Sequence, residues 1–256
     1  MKPIVKILVG WFIFLCLFAV FTIKVYSNPP FDIFYGSAST GGSSPALTYI
    51  NSHSSSAATG TAIQDTHGFT IASGDLLICI VHGNGAPTFV DNNGADPFTE
   101  LVDGTANSSN RAIYWRIADA TEGATFDFTM SASNRWSIVA IQLRPGSGSV
   151  QNPPIDVTPA ANVADTGSST TPSATQITVG VDHATLLWVV TVDGASTAMS
   201  AWPAAADDTT ISEINDQALY VGIGVNVSAG ATGAVAGTLN PTDVWSAQLF
   251  SLKPGS

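Results

Sequence analysis

The feature that most restricts how this chain folds is that it repeats itself. LRPG at 143–146 returns as LKPG at 252–255. The matches continue upstream in the same order: WSIVAIQLRPG (136–146) faces WSAQLFSLKPG (245–255), EGATFDF (122–128) faces AGATGAV (229–235), RAIYWRI (111–117) faces QALYVGI (217–223), and DLLICIV (75–81) faces TLLWVVT (185–191). The offset drifts only from 106 to 110 residues across these pairs, as expected when loops vary in length and strands do not. Each copy is therefore about a hundred residues long, and the Pro-Gly ending closes a complete unit.

Within a copy, runs of Val, Ile, Thr and aromatics alternate with Gly, Asn, Asp and Pro clusters. In the first copy strands are predicted near 57–63, 68–72, 75–82, 87–90, 97–102, 111–118, 124–130 and 136–143. Ile113, Trp115 and Ile117 share one face of a strand, while Ala112, Tyr114 and Arg116 share the other. No amphipathic helical window follows residue 24. The fold class expected is all-β: two tandem antiparallel β-sandwiches of jelly-roll or Greek-key type, preceded by one N-terminal apolar helix. The boundaries expected are 1–27 for a membrane anchor or signal peptide, 28–56 for a Ser/Gly/Pro-rich stalk, 57–146 for the first sandwich, 147–159 for a linker and 160–256 for the second.

The N-terminal segment sets location. Lys2 and Lys6 precede ILVGWFIFLCLFAVFTI at 7–23, and Lys24 closes the run. Val25 and Ser27 supply small residues at the −3 and −1 positions of a signal peptide cleaved before Asn28. Seventeen apolar residues exceed an ordinary signal-peptide core and reach the lower limit for crossing a bilayer, which favours a retained anchor. Basic residues before the run place the N-terminus in the cytoplasm. Either way the remaining chain is expected on the exterior side of a membrane, anchored through 7–23 or secreted.

Charge narrows the partners. Eight basic residues stand against nineteen acidic ones, and no Lys/Arg cluster exists to track phosphates, so nucleic acid is not expected as a partner. Cys16 and Cys79 lie in separate apolar runs, so neither a disulfide framework nor a zinc spacing is expected.

The order GDLL strand, D-x-x-G turn, F-T-x-L, A-I-Y-W, G-A-T-F-x-F and W-S-I-V-A-I-x-L is carried by Gly74–Val81, Asp91–Gly94, Phe98–Leu101, Ala112–Trp115, Gly123–Phe128 and Trp136–Leu143. It resembles a sandwich repeat of bacteriophage virion and tail-associated proteins and of secreted bacterial surface proteins. The second copy replaces the turn and F-T-x-L with AWPAAADDTTISEI, within residues 201–214. The resemblance implies a non-enzymatic exterior protein of a virion or cell-surface assembly, with copies of itself or other structural proteins as partners.

Candidate site residues are few. His53, His67, His82 and His183 show no metal-binding or catalytic spacing and read as exposed turn histidines. No G-x-S-x-G elbow offers a nucleophile, so no catalytic residue is assigned. Asp91, Asn93 and Asp96 in DNNGAD are the candidate calcium ligands, although the spacing falls short of a D-x-D-x-D-G loop and the same residues suit a tight turn. No other cofactor is expected. Asp207, Asp208, Glu213 and Asp216 occupy the matching region of the second copy. Trp136 and Trp245, like Tyr114 and Tyr220, are matched between copies and read as packing positions. Trp202 has no counterpart, so with Asp207 and Asp208 it is the candidate ligand-binding surface of the alternative reading, a glycan-binding or adhesin module. Asn107 and Asn226 sit in N-x-S sequons.

Overall fold

The Val/Ile/Leu runs fold into strands in a computed structural model that describes residues 44–106, 109–119, 121–158, 165–193, 197–203, 209–213 and 218–256. The N-terminal helix and anchor expected within 1–27 lie outside the described residues. All regular structure among the described residues is β, and no described helix is long and apolar enough to cross a membrane.

The first copy builds β1 (Leu47–Ala57), β2 (Ala62–Thr66), β3 (Leu76–Asn84), β4 (Phe89–Asp91), β5 (Thr99–Ala106), β6 (Ser109–Ile117), β7 (Thr125–Met130) and β8 (Trp136–Pro145). The chain from the linker onward builds β9 (Ile155–Val157), β10 (Asp165–Ser169), β11 (Ser173–Ala174), β12 (Thr178–Val179), β13 (Ala184–Val192), β14 (Ala198–Ala201), β15 (Thr209–Glu213), β16 (Ala218–Val227), β17 (Gly230–Ala231), β18 (Val235–Ala236), β19 (Thr238–Asn240) and β20 (Asp243–Leu252).

The repeat is visible in topology. One main sheet runs β1-β8-β3-β6-β5 and the other runs β10-β20-β13-β16-β15, with β9 beside β20. Every pairing is antiparallel. Register repeats as well. Leu76 opposes Leu143 and Gly83 opposes Trp136 in the first sheet; Thr185 opposes Leu252 and Val192 opposes Trp245 in the second. Those pairs correspond at a constant offset of 109 residues.

That offset corrects the alignment of DLLICIV with TLLWVVT, which the sequence match set at 110. A one-residue slip moves every side chain to the opposite face of a sheet. With 109, Ile78 and Ile80 correspond to Leu187 and Val189, and Cys79 corresponds to Trp188. Burial agrees: Ile78, Ile80, Leu187 and Val189 share one core cluster, while Cys79 and Trp188 belong to two others.

The shared cluster explains why the main strands are buried at nearly every position. Leu76, Ile141 and Leu143 of the first sheet pack with Leu219, Val221, Phe250 and Leu252 of the second. The main sheets therefore face each other, and residues 43–256 form one compact unit. On its other face the first sheet meets β2, β4 and β7, through Ile63, Phe89, Phe126, Phe128 and Met130. The second meets the short pairs β11–β18, β12–β17 and β14–β19, through Ala174, Val179, Val235 and Leu239. A sheet covered on both faces loses the polar–apolar alternation and reads as a solid apolar run.

The outer layers fill the same role with different residues. Phe126 and Phe128 lie over Cys79 in the first copy, whereas AGATGAV contributes no aromatic and Trp188 fills the space from beneath. Gly237 is required there, because a Cβ on it would come within 2.7 Å of the Trp188 ring. The matched tryptophans obey a similar rule. Trp136 opposes Ala57 and Trp245 opposes Gly167, where a Cβ would meet the Trp245 ring at 2.5 Å.

Two local expectations differ from the structure. Residues 47–56, read as stalk, belong to β1, which pairs along the length of β8 and buries Leu47. Residues 68–72, read as a strand, form no ladder; Phe69 and Ile71 instead pack as side chains on the outer cluster.

Candidate functional site

Arg116 sits at the centre of a polar surface site among the described residues. Strand alternation places it on the face of β6 that carries Ala112 and Tyr114, so it enters the outer layer 8% exposed. Burial of a guanidinium requires partners. Its Nη2 lies 2.7 Å from Glu122 Oε1, 3.6 Å from Asp96 and 3.9 Å from Asp119. Nη1 donates to the Asp96 carbonyl, and the guanidinium carbon lies 5.8 Å from the Phe98 ring centre.

Two depressions flank this arginine. One, of about 310 Å³, is lined by Asn93, Asp96, Arg116, Glu122, Thr125 and Asp127 among others. The second, of about 400 Å³, is lined by Asp96, Thr99, Trp115, Arg116, Asp119 and Asn152 among others. Asp96 and Arg116 are common to both. The polar lining groups are carboxylates, amides, threonine hydroxyls and one guanidinium, beside the apolar side chains of Phe98, Phe126, Pro97, Ile117 and the half-buried Trp115.

The expected calcium residues lie in this loop, and the structure shows what each holds. Asp91 accepts the Asn93 N–H at 3.2 Å and the Phe98 N–H at 2.9 Å, one on each carboxylate oxygen. Asn93 pairs with the Asp127 backbone through its amide, donating at 2.9 Å and accepting at 3.0 Å. Asp96 turns to Arg116 and accepts the Thr121 hydroxyl at 3.4 Å. Asp91 and Asn93 thus shape the turn while Asp96 faces the groove. No group of three His, Cys, Asp or Glu side chains among the described residues is arranged to hold a metal.

Trp202 is not a free loop aromatic. It is half-buried against the outer cluster of the second copy, edge-on to Trp188 at 6.3 Å and to Tyr220 at 6.0 Å. Asp207, Asp208 and Asp216 lie outside the described residues. Asn107 also lies outside them, and Asn226 is exposed.

The histidines divide. His53 is exposed and His183 lies in a turn, but His82 is 0% exposed inside β3 and His67 is 5% exposed. For those two the exposed-turn expectation is corrected: both lie against the sheets. His82 has no hydrogen-bond partner on either ring nitrogen, and burial, reinforced by nearby Arg111, pushes its pKa down to about 3. Arg111 is buried where the two main sheets meet, donating to Gln248 Oε1 at 2.9 Å and Ser246 Oγ at 2.5 Å. Burial lowers its pKa to about 10. On β1 and β2, His53 Nδ1 and Ser55 Oγ both meet the buried Asp65, at 2.5 and 2.7 Å. The carboxylate therefore lies between histidine and serine, so the imidazole is not aimed at the hydroxyl as a general base would be.

Sequence reasoning did not single out Arg116, Asp119 or Glu122. The usable signal was Arg116 itself, a charge on the apolar face of an alternating strand, which demands a carboxylate nearby. No family model, no curated protein and no solved structure matches the chain.

Proposed function

We propose that the chain is a non-enzymatic structural or attachment protein on the exterior side of a membrane, contributing to a virion or cell-surface assembly. In this reading it is two tandem sandwiches of jelly-roll or Greek-key type, tethered or exported by residues 7–23. The observation that carries the reading is the double coverage of both main sheets: they pack on each other, each under its own outer layer. Such a stack is stiff because its strands are fixed on both faces, and it suits a load-bearing spacer. The apolar N-terminal run and acidic, lysine-poor exterior sequence agree with this placement.

The test is protease protection and carbonate extraction of the full chain in its native membranes. The reading expects the β region to be digested from outside while the chain stays with the carbonate-washed membrane or is recovered in the medium. Intact chain in the cytosolic fraction would overturn it. The adhesin reading draws support from one observation, the acid-lined groove around Arg116, and not from Trp202.

A further inference from the structure

The larger depression beside Arg116 carries a tryptophan that the fold itself does not demand. Trp115 lies opposite Ile78 of β3, and the matching rung of the second copy pairs Leu187 with Ile223, which is fully buried. An aliphatic side chain therefore satisfies that place where the sheets close over it. Trp115 is instead half-buried: it packs on the shared cluster and also lines the depression of about 400 Å³. Its indole N–H has no hydrogen-bond partner among the described residues and stays open to solvent.

The groups around it are also uncommitted. Thr99 faces Trp115 across the β5–β6 ladder, so the two side chains stand together on one face of the sheet. Thr99 and Asn152 are exposed, and no hydrogen bond among the described residues engages the Thr99 hydroxyl or the Asn152 side-chain amide. Asp96 is loosely held, 3.4 Å from the Thr121 hydroxyl and 3.6 Å from Arg116, and Asp119 is 60% exposed.

We infer that this depression binds a neutral pyranose saccharide, with Trp115 as apolar platform and indole donor, and with Thr99, Asn152, Asp96 and Asp119 meeting the ring hydroxyls. A pyranose presents C–H surface beside hydroxyls that both donate and accept, so it uses an aromatic, donors and acceptors together. A cation would use the carboxylates alone, and an anion would meet Asp96 and Asp119 while Arg116 is already occupied by Glu122 and the Asp96 carbonyl. The inference gives the adhesin reading its contact residues and rests on this depression, so its failure is separate from that of the structural reading, which turns on location.

Two-dimensional amide and indole NMR of the full chain in detergent tests it, with the methyl glycosides of mannose, galactose and glucose as probes and glycerol as a polyol lacking a ring face. Saturable shifts are expected for the Trp115 indole N–H and for amides of residues 95–99, 115–119 and 152, with the Trp202 indole unmoved. The Trp115 signal is assigned by its loss in Trp115→Phe. That variant and Asn152→Ala are each expected to weaken binding about threefold to tenfold, as loss of one hydrogen bond does. Should Trp115→Phe fail to fold, Asn152→Ala and Thr99→Ala keep the test, because both side chains are exposed. No saturable shift with any of the glycosides, an equal response to glycerol, or unchanged affinity in these variants overturns the inference.

Discussion

Single residues show where this fold places polar groups inside apolar layers, and each makes a measurable prediction. His82 is neutral in the folded chain because burial, with Arg111 beside it, depresses its pKa to about 3. Its contribution is therefore complete above pH 6.5, the ordinary histidine value, and declines as pH falls from 6.5 towards 3. Over that window the loss is on the order of 5 kcal/mol at ~1.4 kcal/mol per pH unit. Burial also lowers the pKa of His67, against the opposing charge of Asp65, and adds to the decline in the same direction. Urea unfolding at pH 7 and pH 4 checks this, and His82→Leu is expected to remove most of the pH dependence. Asp75 behaves differently. Burial raises its pKa, but hydrogen bonds from Arg144, Ala72 and Gln142 outweigh that and hold it below the usual carboxylate value. Arg144 reaches it with two bonds, at 2.6 and 2.8 Å. The pair contributes stability above about pH 4 that is lost below it, and Arg144→Ala is expected to cost about 1–3 kcal/mol by leaving a buried carboxylate short of donors. The corresponding Lys253 instead donates to the Pro153 carbonyl at 3.2 Å, so Lys253→Ala is expected to change stability far less. Trp202→Ala is expected to cost about 2 kcal/mol through lost packing on Trp188 and Tyr220.

At the scale of elements, the sequence made the strands legible and their faces less so. Apolar runs ending at Pro-Gly marked β8 and β20, and RAIYWRI marked β6 through its alternation. The match of Leu76 to Leu186 looked sound as letters but put residues of opposite faces together, because identity between short apolar runs carries no information about face. The real correspondence pairs Cys79 with Trp188, a substitution that makes sense only once Phe126 and Phe128 are seen above one and glycine-spaced strands above the other. Serine content hid β1: NSHSSSA resembles a stalk, yet as an edge strand against β8 it needs backbone hydrogen bonds and few apolar side chains. The site was half legible. DNNGAD announced a turn with spare carboxylates, but nothing local showed that Arg116 and Glu122 would meet it from β6 and the next loop. Gly237→Ala tests the exchange of volume between layers: its Cβ would meet the Trp188 ring, the Met199 sulfur and the Ala201 carbonyl. A loss of about 1–3 kcal/mol is expected from overpacking, read as a lower midpoint in denaturant.

The whole molecule is two copies of one topology joined by their sheets, each covered on its outer side by a layer of its own. The 147–159 segment reads as a linker, and apolar residues on the inner faces of β3, β8, β13 and β20 join the copies on either side of it into one body. That coupling is the central claim. Native-state hydrogen exchange on full-length Ile80→Ala tests it most directly, since Ile80 is fully buried in the shared cluster of the first copy. The account predicts that amides of β13 and β20 lose protection together with those of β3 and β8, by the same 2–4 kcal/mol expected of an isoleucine truncation. Protection lost in β3 and β8 while β13 and β20 keep theirs unchanged would contradict it.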